Sequence, residues 1–256
     1  MVKRLKLNEK TLREAEPKPG VSYQIFDTEV IGFAARVQAS GARTFTIDYR
    51  HAGRQRRMTI GRWPEWSVTA ARERAKAARR RELLAAAAAL MAERGFAGVR
   101  LEDIGAAAGV SGPAMYRHFA GKQDVLAALL VEISEYLYDG GRRVAEERAG
   151  DPRQALHDLV DFHVDFAASE PDLIRVQYRD MWSLAPESAR RVRRLQRQYV
   201  EIWTDALTAL GGDPVDNRAV VHAVFGLINA APSLPALPQP RLRALLRDKA
   251  LAALGV

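Results

Sequence analysis

Between Ser67 and Arg94 the chain runs for 28 residues without a glycine or a proline, and alanine dominates the stretch. At ~1.5 Å of rise per residue, such a run can form one helix of about 42 Å. Ser67 is a suitable N-cap, and Pro64 stops whatever precedes it. The two flanks of this helix differ in kind, so the sequence predicts a mainly α protein with a small α+β module at its front. The step from Val68 to Leu83 turns the apolar stripe by ~60°, so each end of the helix can serve its own core. Arg72, Arg74, Lys76, Arg79 and Arg80 are then expected on the solvent side between the two stripes.

The front flank reads as strands at Ser22–Asp27, Phe33–Gln38, Thr44–Arg50 and Arg56–Ile60. Phe33, Ala35 and Val37 alternate onto one face, as do Phe45, Ile47 and Tyr49. Ala39-Ser40-Gly41 and Ala52-Gly53 supply the turns. The opposite face is expected to carry Arg36, Arg43, Thr44, Thr46, Arg50, Arg54 and Arg57. Charge follows the same division. Residues 1–80 hold 18 Lys and Arg against 8 Asp and Glu, whereas the remainder holds 21 against 23. A segment this basic points to polyanions, which bind with release of counterions.

Several function classes are excluded at once. With no cysteine in 256 residues, there is no thiolate zinc site, cysteine nucleophile or disulfide scaffold. The longest apolar run, Leu83–Ala92, is far shorter than the ~20 residues of a membrane span, and no charged-then-apolar leader opens the chain. A cytoplasmic protein without membrane partners is the expectation. No Ser-His-Asp set, phosphate loop or dinucleotide fingerprint occurs, so no catalytic residue and no cofactor is assigned. His51-Ala52-Gly53-Arg54 has recombinase-like H-x-x-R spacing, but it lies in a hairpin and reads as coincidence.

After Gly95 the pattern is helical throughout, with breaks expected at Gly95–Gly98, Gly109–Pro113, Gly140-Gly141, Gly150–Pro152, Glu170-Pro171, Ala185-Pro186, Gly211–Pro214 and Pro232–Pro240. Residues 80–126 have helix-turn-helix spacing. Leu83, Leu84, Ala87, Leu90 and Met91 form one stripe, and Leu101–Ala108 is a short second helix. Gly109 makes the turn, Val110 fills the angle, and Ser111 caps a third helix, Gly112–Phe119, that puts Met115 and Phe119 inward. Ala114, Tyr116, Arg117 and His118 are left for other surfaces.

The stretch RELLAAAAALMAERGFAGVRLEDIGAAAGVSGPAMYRHFAGKQDVLAALL resembles the DNA-binding domain of the tetracycline-repressor (TetR) family of transcriptional regulators. That resemblance implies that Tyr116, His118 and Lys122 hold phosphates, while Gly112, Pro113, Ala114 and Arg117 sit near base edges. Val99-Arg100 replaces the usual hydroxyl cap of the second helix. Base readout then rests on Arg117, on Arg100 and on methyl contacts by Ala114. The helices from 125 onward resemble the same family's ligand-binding and dimerisation body. Phe162, Phe166, Tyr178, Trp182, Tyr199 and Trp203, with Tyr136 and Phe225, are candidates to line a cavity for a small apolar ligand, or to be core packing. The segments Asp216–Ala231 and Leu242–Leu254 fit the place where that family pairs two subunits into a homodimer. His157, Asp161, His163 and Asp165 read as a solvated polar face, and no metal is assigned.

Residues 5–76, carrying FDTEVIGFAARVQASGARTFTIDYRHAGRQRRMTIGRWPEWSVTAARERA, resemble the arm-type DNA-binding domain at the front of phage-like tyrosine integrases. In that family the sheet face lies against double-stranded DNA, which suits Arg36, Arg43, Arg50, Arg54 and Arg57. The organisation expected is therefore an arm-type module at 1–78, a helix-turn-helix at 79–124 and a helical body at 125–256. A ligand-released repressor with an added DNA-binding module is the leading expectation. An accessory DNA-architectural protein of a mobile element, or a truncated integrase front fused to a regulator, are the alternatives.

Overall fold

The computed structural model describes residues 3–51 and 54–256, without the side chains of Lys3, Arg50, His51 and Arg54. The chain forms two compact units, Met1–Ala87 with Val99–Lys122, and Ala88–Gly98 with Gln123–Val256.

In the first unit, β1 (Lys3–Leu5), β2 (Tyr23–Asp27), β3 (Phe33–Val37), β4 (Arg43–His51) and β5 (Arg54–Trp63) form one sheet in that order. β1 runs parallel to β2, and the remaining neighbours are antiparallel. The expected strands are all present, and the expected single helix is α2 (Val68–Arg94), with Ser67 Oγ accepting from the Ala70 N–H at 3.1 Å. Two elements were not expected. They are β1 and α1 (Glu9–Arg13), a single helical turn whose cap Asn8 accepts from the Thr11 N–H at 2.8 Å. The odd-numbered faces of β3 and β4 pack inward as predicted, with Phe33 and Phe45 stacked at 5.8 Å. Leu7, Leu12, Ile25 and Ile47 join them against Val68, Ala71 and Ala75 of α2.

Two corrections concern charge. Arg72 and Arg79 do not face solvent; they are 8% and 3% exposed. Arg72 donates to both oxygens of Asp27, at 3.1 and 3.0 Å, and to the Leu7 carbonyl. Arg79 pairs with Glu82 and donates to the carbonyls of Ile31 and Asp48, both at 2.7 Å. The second correction is Arg43. Its odd number puts it on the face of Phe45, where it reaches the Ala15 carbonyl at 3.0 Å and lies over the Trp63 ring.

In the second unit, α5 (Lys122–Glu147), α6 (Pro152–Ser169), α7 (Pro171–Asp180), α8 (Pro186–Thr208), α9 (Pro214–Asn229) and α10 (Gln239–Leu254) supply the core. α6 to α9 each open on a proline, where a missing N–H costs nothing. The expected break at Gly140-Gly141 is absent, because both residues lie inside α5. A Cβ at Gly140 would overlap the Phe162 ring, and one at Gly141 the Tyr199 ring. The pair serves close packing of two aromatic rings on the backbone, not chain reversal. No helix of the described residues is long and apolar enough to cross a membrane.

The Asp27–Arg72 pair yields a prediction. Burial raises the Asp27 carboxyl pKa, but hydrogen bonds from Arg72 and from the Leu7 and Val30 N–H groups outweigh it and hold the group below its usual value. A depressed carboxyl contributes stability that is complete above its unfolded pKa of ~3.9 and is lost as pH falls through the folded value. Asp27→Ala leaves buried Arg72 with the partly exposed Glu29, 3.2 Å away, as its remaining counter-charge and should cost up to about 3–5 kcal/mol, whereas Asp27→Leu with Arg72→Met should recover much of that. Urea unfolding of the full chain, followed by tryptophan fluorescence to which Trp63 and Trp66 of this unit contribute, checks both.

Candidate nucleic-acid interface and ligand cavity

In the first unit the helix-turn-helix is α2 followed by α3 (Leu101–Ala107) and α4 (Gly112–Met115). Gly109 takes φ +69°, a conformation that favours glycine, and Val110 folds back so that its N–H reaches the Gly105 carbonyl at 2.7 Å. A Cβ at Gly105 would lie 2.8 Å from Met115, so the two short helices pack at the closest approach available. α4 is shorter than expected. Past Met115 the chain continues in turns, with the His118 and Phe119 N–H groups both bonded to the Met115 carbonyl. Met115 and Phe119 point inward as predicted.

Arg100 is the N-cap of α3, and its backbone N–H is satisfied by the Asp103 carboxylate at 2.9 Å. Arginine offers no acceptor for the reciprocal bond, so its guanidinium is not consumed by the cap, and the residue is exposed. Ser111 stands at the N-cap of α4 without a side-chain cap bond. Tyr116 is 57% exposed, with its hydroxyl 3.4 Å from Glu102. Arg117 and Pro113 are exposed, Gly112 is half-buried, and Lys122 opens α5. Ala114 is a correction. It is buried with Met115, so its methyl group is not offered to a base.

His118 is half-buried and held below the ordinary histidine pKa by burial, then by Arg79, Arg117 and Arg80. Arg80 itself lies over the Phe119 ring at 5.4 Å.

On the polar face of the sheet, the register sets Arg36 opposite Thr44 and Thr44 opposite Arg62. Arg62 was missed because the shift between Phe45 and Thr46 changes which β5 residues face this way. Arg57 is there as expected, but Asp48 already matches its charge, with bonds of 2.5 and 2.8 Å. Arg36 and Arg62 have no ion pair among the described residues. The side chains of Arg50 and Arg54, and the Ala52-Gly53 turn, lie outside the described residues.

The second unit contains a cavity of about 520 Å³. Of the six aromatic residues expected to line it, Phe166, Tyr178, Trp182 and Tyr199 do. Phe162 and Trp203 do not. Phe162 sits on Gly140 and packs against Tyr136 at 5.3 Å, and Trp203 is fully buried behind the wall. Phe225 lines the cavity too, stacked on His163 at 4.9 Å and on Tyr199 at 5.4 Å.

His163 is the residue that sequence reasoning misplaced. It is buried in the cavity wall, Nδ1 lying 3.2 Å from Tyr199 Oη and Nε2 3.1 Å from Asn229 Oδ1. With the proton on Nε2, His163 donates to Asn229 and accepts from Tyr199, and both ring nitrogens are satisfied by neutral partners. Its spacing to Leu159 and Val160 puts it on the apolar stripe of α6, which was the available signal. The rest of the expected solvated cluster is committed to α10. Arg243 pairs with Asp165, and Arg247 pairs with Asp161 while lying 3.5 Å from His157.

Burial lowers the His163 pKa to about 4 and pushes the Tyr199 hydroxyl well up, so the cavity wall is uncharged at neutral pH. Unfolded histidine titrates near 6.5, so between the two values the unfolded chain holds the extra proton and stability rises with pH. The chain should therefore lose roughly 3 kcal/mol as pH falls from 6.5 to 4, and His163→Gln should remove that portion of the slope. Chemical unfolding of both proteins across this pH range measures the difference.

Known proteins match both units. The model of bacterial regulatory proteins, tetR family, matches residues 83–129, and that of the tetracyclin repressor-like C-terminal domain matches 149–233. The arm DNA-binding domain model matches 7–87. The HTH-type transcriptional regulator CymR of Pseudomonas putida is 31% identical over 57% of this chain and 74% of its own length. The activator FasR of Mycolicibacterium smegmatis is 30% identical, and the chain spans 57% of it. Among solved structures, a TetR-family regulator from Bordetella parapertussis aligns with a TM-score of 0.62 at 21% identity, covering 68% of this chain and 93% of that one. With helix-turn-helix and helical body each matched in place, the chain belongs to the tetR family of bacterial regulatory proteins.

Proposed function

We propose that this chain is a ligand-released transcriptional repressor that grips operator DNA through two elements, the helix-turn-helix and the polar face of the N-terminal sheet. What carries the reading is one combination. An exposed Tyr116, Arg117 and Arg100 surround a helix-turn-helix, and the second unit holds a large uncharged cavity. Repression by occupancy needs no more than these parts, and the activity proposed is binding alone, without catalysis, in the cytoplasm where the operator is. AibR, whose structure aligns over 67% of this chain with a TM-score of 0.54, was solved with isovaleryl coenzyme A and operator DNA. The working parts are the arm-type module to residue 78, the helix-turn-helix over 79–124 and the body over 125–256.

Within this reading, Tyr116, His118 and Lys122 bind backbone phosphates. Arg117 and Arg100 read bases, with Gly112 and Pro113 allowing close approach. Arg36 and Arg62 are the sheet charges ready for phosphate, and Arg57 can join only by leaving Asp48. Their presence also favours a second reading, a module still docking on arm-type sites of a mobile element. One gel-shift titration on the full chain separates the roles. Tyr116→Ala should weaken all sequences alike, and Arg117→Ala should relax operator choice by ~1–3 kcal/mol per base pair read. Arg36→Glu with Arg62→Glu should weaken operator and random DNA alike, and should flatten the log–log salt slope by ~0.9 for each phosphate no longer neutralised. An unchanged slope would leave the sheet a passenger.

The body is proposed to form a two-fold dimer through α9 and α10. Val215, Ala219, Ala223 and Gly226 are exposed along α9 at spacings of four, four and three, a row of small or apolar side chains that lets a second helix approach closely. A symmetric operator needs two recognition elements about one turn, ~34 Å, apart. Light scattering should give twice the 28.4 kDa chain mass, and Ala223→Arg should shift it to one.

A further inference from the structure

Helix α8 carries arginines at 190, 191, 193, 194 and 197. Arg191 turns toward α5 and pairs with Glu135. The other four fall within an arc of ~100° at 100° per residue. All four are exposed and have no ion pair among the described residues. Like charges at i,i+3 and i,i+4 work against a helix. With Arg218 and His222 of α9 they line an open cleft of about 620 Å³. Among the described residues, the carboxylate paired with this group is Glu201, 3.7 Å from Arg218.

This cleft is not separate from the uncharged cavity. Gln196, Val200 and His222 line both, so a neutral chamber opens beside a cationic shelf along a shared rim. No Asp, Glu, Lys or Arg lines the chamber, and within it His163 is neutral and Tyr199 keeps its proton. A charged part of any ligand must therefore stay outside. A single carboxylate would need one arginine. A row of four with Arg218 matches several phosphate charges, which the guanidinium fork binds through paired hydrogen bonds.

We infer that the releasing ligand is an acyl group carried on a multiply anionic, phosphorylated carrier, with the acyl part in the cavity and the phosphates on the arginines of α8 and α9. This rests on the ligand-released reading proposed above, and the test keeps the two apart. Octanoyl-coenzyme A, octanoate and coenzyme A are titrated into the full-length protein, with tryptophan fluorescence reporting binding and a gel shift reporting operator release. Octanoyl-coenzyme A should bind at least tenfold more tightly than octanoate or coenzyme A, and its affinity should fall with salt. Arg194→Ala with Arg197→Ala should lower that affinity tenfold or more, leaving octanoate binding and ligand-free operator affinity unchanged and the thermal melt no lower. Lysine at both positions should restore only part of it. Equal affinity for octanoate and its thioester, in parent and variant alike, would overturn the shelf and leave the cavity reading standing. Loss of operator affinity and salt slope in the variant, with ligand binding intact, would make the shelf a DNA surface and overturn the inference. No binding and no operator release by any of the three would overturn both.

Discussion

One carboxylate ties the first unit together. Asp27, at the end of β2, accepts from the Leu7 N–H at 3.0 Å, from the Val30 N–H at 3.1 Å and from the Arg72 guanidinium. It therefore joins the segment after β1, the turn after β2 and the first half of α2 at a single buried point. A buried charge must be paired and hydrogen-bonded to offset its desolvation, which alone would cost several kcal/mol. Arg72 meets that condition by also donating to the Leu7 carbonyl. Seven residues on, two helical turns, Arg79 is held by Glu82 and by the carbonyls of Ile31 and Asp48, although its buried Nε–H has no partner. α2 is thus pinned to the sheet at two heights by charge, and its alanines fill the space between.

That pinning gives the union of the arm-type module and the helix-turn-helix its physical sense. The arm-type match and the tetR match overlap at residues 83–87, inside α2, so the two modules share a helix and have no linker. A flexible tether would supply only local concentration. A shared helix also fixes direction. Arg79 is committed to the sheet, and its neighbour Arg80 lies over Phe119 at the end of the recognition segment. Cutting the module away would strip Arg79 of both carbonyl partners, which is why charge reversal at Arg36 and Arg62 is the cleaner probe than deletion.

The parts legible in the sequence were those governed by periodicity. Alternation placed β3 and β4, an unbroken alanine run gave α2, and the spacing of Gly109, Val110, Met115 and Phe119 gave the helix-turn-helix. What escaped depended on partners far away in the chain. β1 is three residues held by parallel pairing to β2, too short for alternation to register. Arg72 and Arg79 look like solvent residues until the carboxylate and carbonyls that receive them are in place. Gly140-Gly141 reads as a break because nothing local announces the two rings that need the space. Phe162 and Phe166 share a helical spacing, yet only Phe166 reaches the cavity, since Gly140 draws the Phe162 ring to α5.

The cavity's polarity follows from the same rule that governs Asp27, applied in reverse. Asp27 keeps its charge because a guanidinium and two N–H groups surround it. His163 is just as buried, but its partners are a phenol and an amide, neither of which can carry a counter-charge, so it gives up its proton instead. Tyr199 keeps its own for the same reason. A wall built from neutral donors and acceptors can orient a polar atom of a ligand without selecting for charge, and Phe166 and Phe225 beside it reward apolar volume. Charge selection must then come from outside the chamber. The side chains able to supply it beside the shared rim are Arg218 of α9 and the arginines on the outer face of α8, a helix that presents Tyr199 inward and Arg194 and Arg197 outward. On the inference drawn above, helical periodicity would sort the two halves of an amphipathic ligand onto opposite sides of a single element.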